Sequence, residues 1–287
     1  VGSMKKLGIL LLVVFLVGIG AGCIWENTGT STTPAATSNT SSPKVVLQPK
    51  HYPTEELLKN MRSIKQFTYL ENTSMILHVR ISQGNVTRDE GNVTVIYKRK
   101  GYIDLDSKEA DVNTTTRTFP GGAAVFSRQI IKDDEIYVFS SGTWQKMTNE
   151  TLGIDPETIL NLTWEYNIVS FVAKYLQEEP SNTTIENDTQ LLYYQITKED
   201  LDAMTKLFIG SNANMTFNVT NGILEVRFRD GVLVGGRITY QMEIRIWGKD
   251  IYGQGFEVYE KGHVYDEFVV RDINVKKPVK KPLSYRA

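Results

Sequence analysis

The stretch Met215–Ile246, MTFNVTNGILEVRFRDGVLVGGRITYQMEIRI, decides the fold. Met215, Phe217 and Val219, then Leu224, Val226 and Phe228, then Ile238, Tyr240, Met242, Ile244 and Ile246 take every second position, with Arg, Thr, Gln and Glu between them. Neighbouring side chains on a strand point to opposite faces, so a period of two marks strands with one oily and one wet face. Asp230-Gly231 and Lys249-Asp250 read as turns, and Gly253 to Ile273 supplies the final strand or pair of strands.

The same signal runs through the first half. Met75, Leu77, Val79 and Ile81 alternate with Ile76, His78, Arg80 and Ser82, and after a polar turn Val93, Val95 and Tyr97 alternate with Thr94 and Lys98, which predicts one long hairpin. Tyr102 to Leu105, Ala123 to Lys132 and Glu135 to Phe139 continue the strands, separated by Gly121-Gly122 and Asp133-Asp134 turns. A helix is predicted from a Thr54 cap, with Glu55 and Glu56 at its positive end and Leu57, Leu58, Met61 and Ile64 on one side. Asp155-Pro156-Glu157 starts a second helix, read to about Glu178. Thr184 to Ile196 reads as a strand, and Thr197-x-x-Asp200 opens a last helix, Leu201 to Ile209, stopped by Gly210. The class is therefore α+β, dominated by antiparallel strands.

Upstream, Lys5 and Lys6 precede an apolar run, Leu7 to Ile19, of signal-peptide length. It ends Gly20-Ala21-Gly22-Cys23, which resembles a bacterial or archaeal lipobox, with Gly20 standing where that motif usually has Leu, Val or Ile. Two readings follow: cleavage before a lipidated Cys23, or an uncleaved membrane helix through Ile24. Both put everything downstream on the outer face of the cell membrane. Residues 1–22 are read as the signal peptide, with 1–3 an expression scar or upstream start before Met4. Residues 23–50, rich in Ser, Thr, Pro and Asn, are read as anchor and flexible linker, since they bury too little to offset ordering entropy. Residues 51–278 form the domain and 279–287 a basic tail.

The formal charge is −1, which leaves no electrostatic case for nucleic acid. Cys23 is the only cysteine, so no internal disulfide holds the fold. His51, His78 and His263 are isolated and have no metal-ligand spacing, and no phosphate loop or nucleophile elbow occurs. Asp104-x-Asp106 and Asp133-Asp134-Glu135 lack the oxygen spacing of a calcium loop and read as turns. The expectation is a non-enzymatic protein without cofactor or metal.

Asn-x-Ser/Thr occurs eleven times, at Asn39, Asn72, Asn85, Asn92, Asn113, Asn149, Asn161, Asn182, Asn187, Asn214 and Asn218. Chance would supply about two or three, so these are candidate N-glycan acceptors, set against incidental motifs in a Thr-rich strand protein. Asn214 and Asn218 take the polar parity of their strand, and Asn85 and Asn92 flank the hairpin turn. Lipobox and sequons together point to an archaeal surface lipoprotein.

The element order from Thr54 to Pro278 resembles the superfamily of LolA-like and LppX-like lipoproteins. The local matches are Asp134-Glu135-Ile136-Tyr137-Val138 followed by Gly142-Thr143-Trp144-Gln145-Lys146, and the closing Asp272-Ile273-Asn274-Val275-Lys276-Lys277-Pro278. That resemblance implies a strongly curved antiparallel sheet, an unclosed half-barrel with helices on its concave face, enclosing an apolar cavity for a lipid or another hydrophobic ligand. The candidates for its lining are Met75, Leu77, Val79, Val95, Tyr97, Trp164, Phe171, Phe217, Tyr240, Met242 and Ile244, residues that would equally fill an ordinary core. The alternative function is a structural or adhesive surface module, or an accessory subunit, with a filled core that acts through protein contacts. A third is an extracellular hydrolase with an unrecognised site.

Overall fold

The alternation in the last third becomes three long strands: β9 (Asn214–Arg229), β10 (Val232–Lys249) and β11 (Gly255–Arg271). Before them come α1 (Thr54–Arg62), β1 (Gln66–Gln83), β2 (Val86–Asp104), β3 (Glu109–Phe119), β4 (Val125–Lys132), β5 (Glu135–Ser140) and β6 (Thr143–Lys146). Then α2 (Pro156–Glu165), α3 (Ile168–Tyr175), β7 (Asn182–Glu186), β8 (Thr189–Gln195) and α4 (Lys198–Lys206) lead back to β9. The structure, a computed structural model, describes residues 51–148, 155–206, 214–249 and 253–285. The leader, Cys23, the linker, Asn39, Asn149, the predicted helix end at Ile209-Gly210 and Asp250 lie outside the described residues.

All the strands form one antiparallel sheet, ordered β6-β5-β4-β3-β2-β1-β11-β10-β9-β8-β7. Two meanders, β1 to β6 and β7 to β11, are joined where β1 pairs with β11 from Thr68↔Arg271 to Gln83↔Phe256. The sheet is strongly curved and unclosed, and helices cover its concave face, the α+β half-barrel expected. Four of its hairpins turn through two residues that both have positive φ: Asp133-Asp134, Ser141-Gly142, Asn187-Asp188 and Asp230-Gly231. That is the backbone whose twist matches the strands it joins.

The change of parity within the opening stretch has a mechanical cause. Asn221 and Gly222 together oppose the single residue Tyr240, and Asn221 has φ 57°, so a bulge shifts β9 by one residue. Met215, Phe217 and Val219 before it and Leu224, Val226 and Phe228 after it thus face the same concave side.

Several elements differ from expectation. The predicted helix from Asp155 to Glu178 is two helices. Asn167 breaks it, accepting from the Ser170 N–H at 3.0 Å as the cap of α3 and donating to the Trp164 carbonyl at 2.7 Å. Thr184–Ile196 is two strands around Asn187-Asp188. β3 was not separately expected, because Thr114, Thr116 and Thr118 stand where apolar residues would mark its inner face. Gly142–Lys146 is a turn followed by a short strand. Tyr102–Leu105 continues β2, and Thr54 is the first helical residue, preceded by Pro53 with no side-chain cap. Asn92 lies within β2 opposite His78, while the hairpin turns at Gly84-Asn85.

Beyond Pro278 the described residues stay on the domain. Val279 is buried against Tyr102, Ile130 and Tyr137, and the Lys281 ammonium bonds Glu135 at 2.6 Å and Asp133 at 3.0 Å.

At Gly262 in β11 an added Cβ would collide with the Ile76 carbonyl oxygen of β1, a backbone atom that cannot rotate away. Gly262→Ala is expected to lower stability by about 2–3 kcal/mol, read as a fall in urea midpoint with an unchanged slope.

Candidate functional site

Register arranges the concave face in rows. Arg99, Glu71 and Phe268 lie side by side across β2, β1 and β11, and Tyr97, Thr73, Asp266 and Ile238 form the next row, continuing onto β10. Val95, Met75, Val264 and Tyr240 follow, then Leu77, Gly262 and Met242, then Val79, Glu260 and Ile244.

Over the first rows, between sheet and helices, lies a cavity of about 300 Å3. Its apolar wall comes from the sheet at Ile103, Ile131 and Phe268 and from the helices at Ile159, Phe171 and Val172. Its floor is polar. Arg99 Nη1 donates to Glu71 Oε1 at 2.7 Å, with their side chains only 19% and 8% exposed. Beside them the Thr73 hydroxyl donates to Asp266 Oδ1 at 3.0 Å. Tyr69 and Tyr97 also line the cavity, and the Tyr69 ring fills the space that a side chain at Gly101 would occupy.

Burial, with Glu71 adding to it, raises the Asp266 carboxyl well above the usual carboxylate range, although Arg99 and Thr73 oppose the shift. Burial also raises the phenols of Tyr69, Tyr97 and Tyr240. The Tyr97 hydroxyl is buried and has no hydrogen-bond partner among the described residues. Three rows beyond Tyr97, Glu260 is 4% exposed between Val79 and Ile244. One of its oxygens is unpartnered among the described residues, and burial pushes its carboxyl up to about 7.

The helices over the cavity are tied at Asp200. This residue, 1% exposed, accepts from Tyr166 at 3.1 Å, Lys174 at 2.5 Å and Tyr175 at 2.7 Å, which joins the start of α4 to α3 and the α2–α3 break. Burial opposes the Asp200 charge, but Lys174 and Tyr175 prevail and hold its carboxyl below the usual range.

Of the residues expected to line a cavity, Tyr97 and Phe171 line this one. Leu77, Val79, Val95, Tyr240, Met242 and Ile244 are buried on the same concave face, and Met75, Trp164 and Phe217 are half-buried against the core. Glu71, Arg99 and Asp266 were missed. The odd-numbered parity read from Met75 onward, carried back four residues, turns Thr73 and Glu71 inward. Among the described sequons, Asn72, Asn85, Asn92, Asn161, Asn182, Asn187, Asn214 and Asn218 are exposed and Asn113 is half-buried. The acidic Asp104 forms a local turn, accepting the N–H groups of Asp106 and Ser107 at 3.1 Å.

Among the described residues no group of His, Cys, Asp and Glu could hold a metal ion, and no helix is long and apolar enough to cross a membrane. No protein-family model matches the chain, and no curated protein does. Among solved structures it is similar to LprF from Mycobacterium bovis, at 11% identity and TM-score 0.36, over 80% of this chain and 96% of that one. It is also similar to a beta-barrel-like protein of the domain of unknown function DUF1849 from Brucella abortus, at 8% identity and TM-score 0.21, over 70% and 98%.

Two changes test this site. Between pH 4.5 and 7 an unfolded Glu260 has lost its proton while the folded one keeps it, so its contribution to stability falls as pH rises through that window. Glu260→Gln is expected to remove that slope, worth about 3 kcal/mol between pH 4 and pH 8 as the difference between wild-type and variant urea unfolding. Asp200→Ala is expected to cost about 2–3 kcal/mol and to speed hydrogen exchange in α3 and α4, with β1 and β11 unchanged.

Proposed function

We propose that this is a membrane-anchored extracellular lipoprotein of the LolA-like and LppX-like kind, whose half-barrel holds a small hydrophobic or amphiphilic ligand without catalysing a reaction. The observation that carries the reading is the cavity between the sheet and α2–α3, with apolar walls and one polar end. Such a site binds by taking apolar surface out of water and uses a few polar groups to orient what it holds.

Volume limits the ligand. A cavity of about 300 Å3 lies at the lower end of the range for small-molecule sites, which suits a single short chain or small ring system rather than a whole diacyl lipid. Ten buried methylenes at ~0.8 kcal/mol each give about 8 kcal/mol before the costs of association, enough for useful affinity without chemistry. The leader, Cys23 and the Ser/Thr-rich linker support an anchor that leaves the domain about 25–30 Å of reach from the membrane surface. The exposed sequons are compatible with a glycosylated exterior, since none of the described ones is buried.

Native mass spectrometry of protein extracted from its own membrane is expected to find a copurifying amphiphile released on unfolding, together with an acyl or ether lipid on Cys23. Ile159→Trp, which fills the cavity from α2, should lose the amphiphile and keep the anchor. Wild-type protein that is ligand-free in every preparation would overturn the reading.

A further inference from the structure

Several stretches of the sheet have no neighbouring strand on one side among the described residues. β6 and β7 are its end strands, β2 runs from Val86 to Val93 outside the pairs it makes with β3, and β9 begins at Asn214, ahead of its first pair with β8, Gln195↔Ile223. Such an edge is a template for a foreign strand unless it is short, charged, bulged or covered. β6 and β7 are only four and five residues long. β2 carries Arg88, Asp89 and Glu90 on its free stretch, with a bulge at Glu90. β9 is different. Ile196 and Leu201 close its edge at Gly222, but Asn214–Thr220, NMTFNVT, has no charged residue and no proline, and its apolar side chains alternate. That is the composition of a segment that pairs readily with another strand.

We propose that Asn214 and Asn218 carry N-linked oligosaccharides that guard this free edge of β9 against pairing with a second copy of the chain. Each heads an Asn-x-Thr triplet, completed by Thr216 and Thr220, and all four residues are exposed. Both asparagines lie on the wet face, about 13 Å apart along the strand, so two glycans span the whole uncharged stretch. An added strand would lie about 4.8 Å away, inside the volume that hydrated sugar chains on both residues sweep. Met215, Phe217 and Val219 point to the other face and keep their packing against the core. In the transfer, the Asn amide nitrogen bonds the anomeric carbon of an oligosaccharide carried on a polyprenyl phosphate. The bond from that carbon to the phosphate oxygen breaks, the polyprenyl phosphate leaves with the electron pair, and the amide gives up one proton. The outermost strand on this side follows the same pattern, since Asn182 and Asn187 bracket β7.

Glycosylation here rests on the exported state proposed above and not on the cavity. Peptides of the full chain from its own membrane are analysed by mass spectrometry, with fragmentation that keeps sugar on its residue, so that Asn214, Asn218 and Cys23 are read together. Both asparagines are expected to carry sugar. Full chain made in a host without the transferase is then compared with the native material by sedimentation velocity in the same detergent. The bare chain is expected to self-associate at least roughly tenfold more tightly than the glycosylated one. Asn218→Lys, made in the same transferase-free host, is expected to return it to monomer at an unchanged melting temperature. That lysine stands opposite Glu243 of β10 within the sheet, whereas two β9 edges paired with each other would bring two lysines together. Bare Asn214 and Asn218 on a chain whose Cys23 carries lipid overturn the glycan guard and leave the anchored-lipoprotein reading standing. So does a bare chain that stays monomeric, or one whose self-association Asn218→Lys leaves unchanged. A chain that lies in the cytosol with neither lipid nor sugar overturns both.

Discussion

The pairing of β1 with β11 is the constraint on which the rest of the structure depends. It joins the two meanders into one sheet, and its register brings Thr73 of one meander opposite Asp266 of the other. A slip of a single residue would turn every inward side chain of one meander to solvent. It would also separate Asp266 from Thr73, and with it from the Glu71–Arg99 pair two residues along. Packing enforces the register, since Phe67, Leu77, Val264 and Phe268 are all buried from these two strands.

The same face carries groups that work against stability. One Glu260 oxygen and the Tyr97 hydroxyl are buried without a hydrogen-bond partner among the described residues, where a Leu or Phe would pack without desolvation cost. An unpaired buried polar group costs about 1–3 kcal/mol, a large share of the ~5–15 kcal/mol by which a domain is stable. Glu71 and Arg99 offset each other, and Asp200 is fully engaged by its three donors. Among the described residues the other unpartnered buried polar atoms belong to Asp104, Thr184 and Tyr194, so such groups are spread through the core.

The strands were legible because one face is oily and the other wet, and the bulge at Asn221-Gly222 was visible as a switch from odd to even apolar positions. β3 was not legible, because Thr occupies both its faces and no contrast marks a period. The split between α2 and α3 was hidden for a related reason. The apolar spacing runs on through Tyr166 and Val169, and only the Asn167 side chain, bonding backbone on both sides of itself, ends one helix and starts the next. The cavity candidates were chosen as apolar residues, a rule that finds walls and misses a charged floor. Parity alone would have turned Glu71, Arg99 and Asp266 inward. Sequence could not say that the three meet, because they belong to three strands whose pairing depends on the topology.

Sheet and helices carry different constraints. The sheet is hydrogen-bonded continuously from β6 to β7, so no ligand passes between its strands without breaking a ladder. The helical cover is assembled from short elements joined at single points. Asn167 sets the angle between α2 and α3, Asp200 ties α3 to α4, and Gln190 pins the approach to α1 by bonding both the N–H and the carbonyl of Tyr52, at 2.9 and 3.0 Å. A helix of eight to ten residues is marginal in isolation, so α2 and α3 keep their shape through what they pack against. The helical cover is thus the adaptable wall of the cavity, while its floor is held by strand register. In the ligand-holding reading proposed above, selectivity belongs to β1, β2 and β11, and the rate of exchange to the contacts that Asp200 makes.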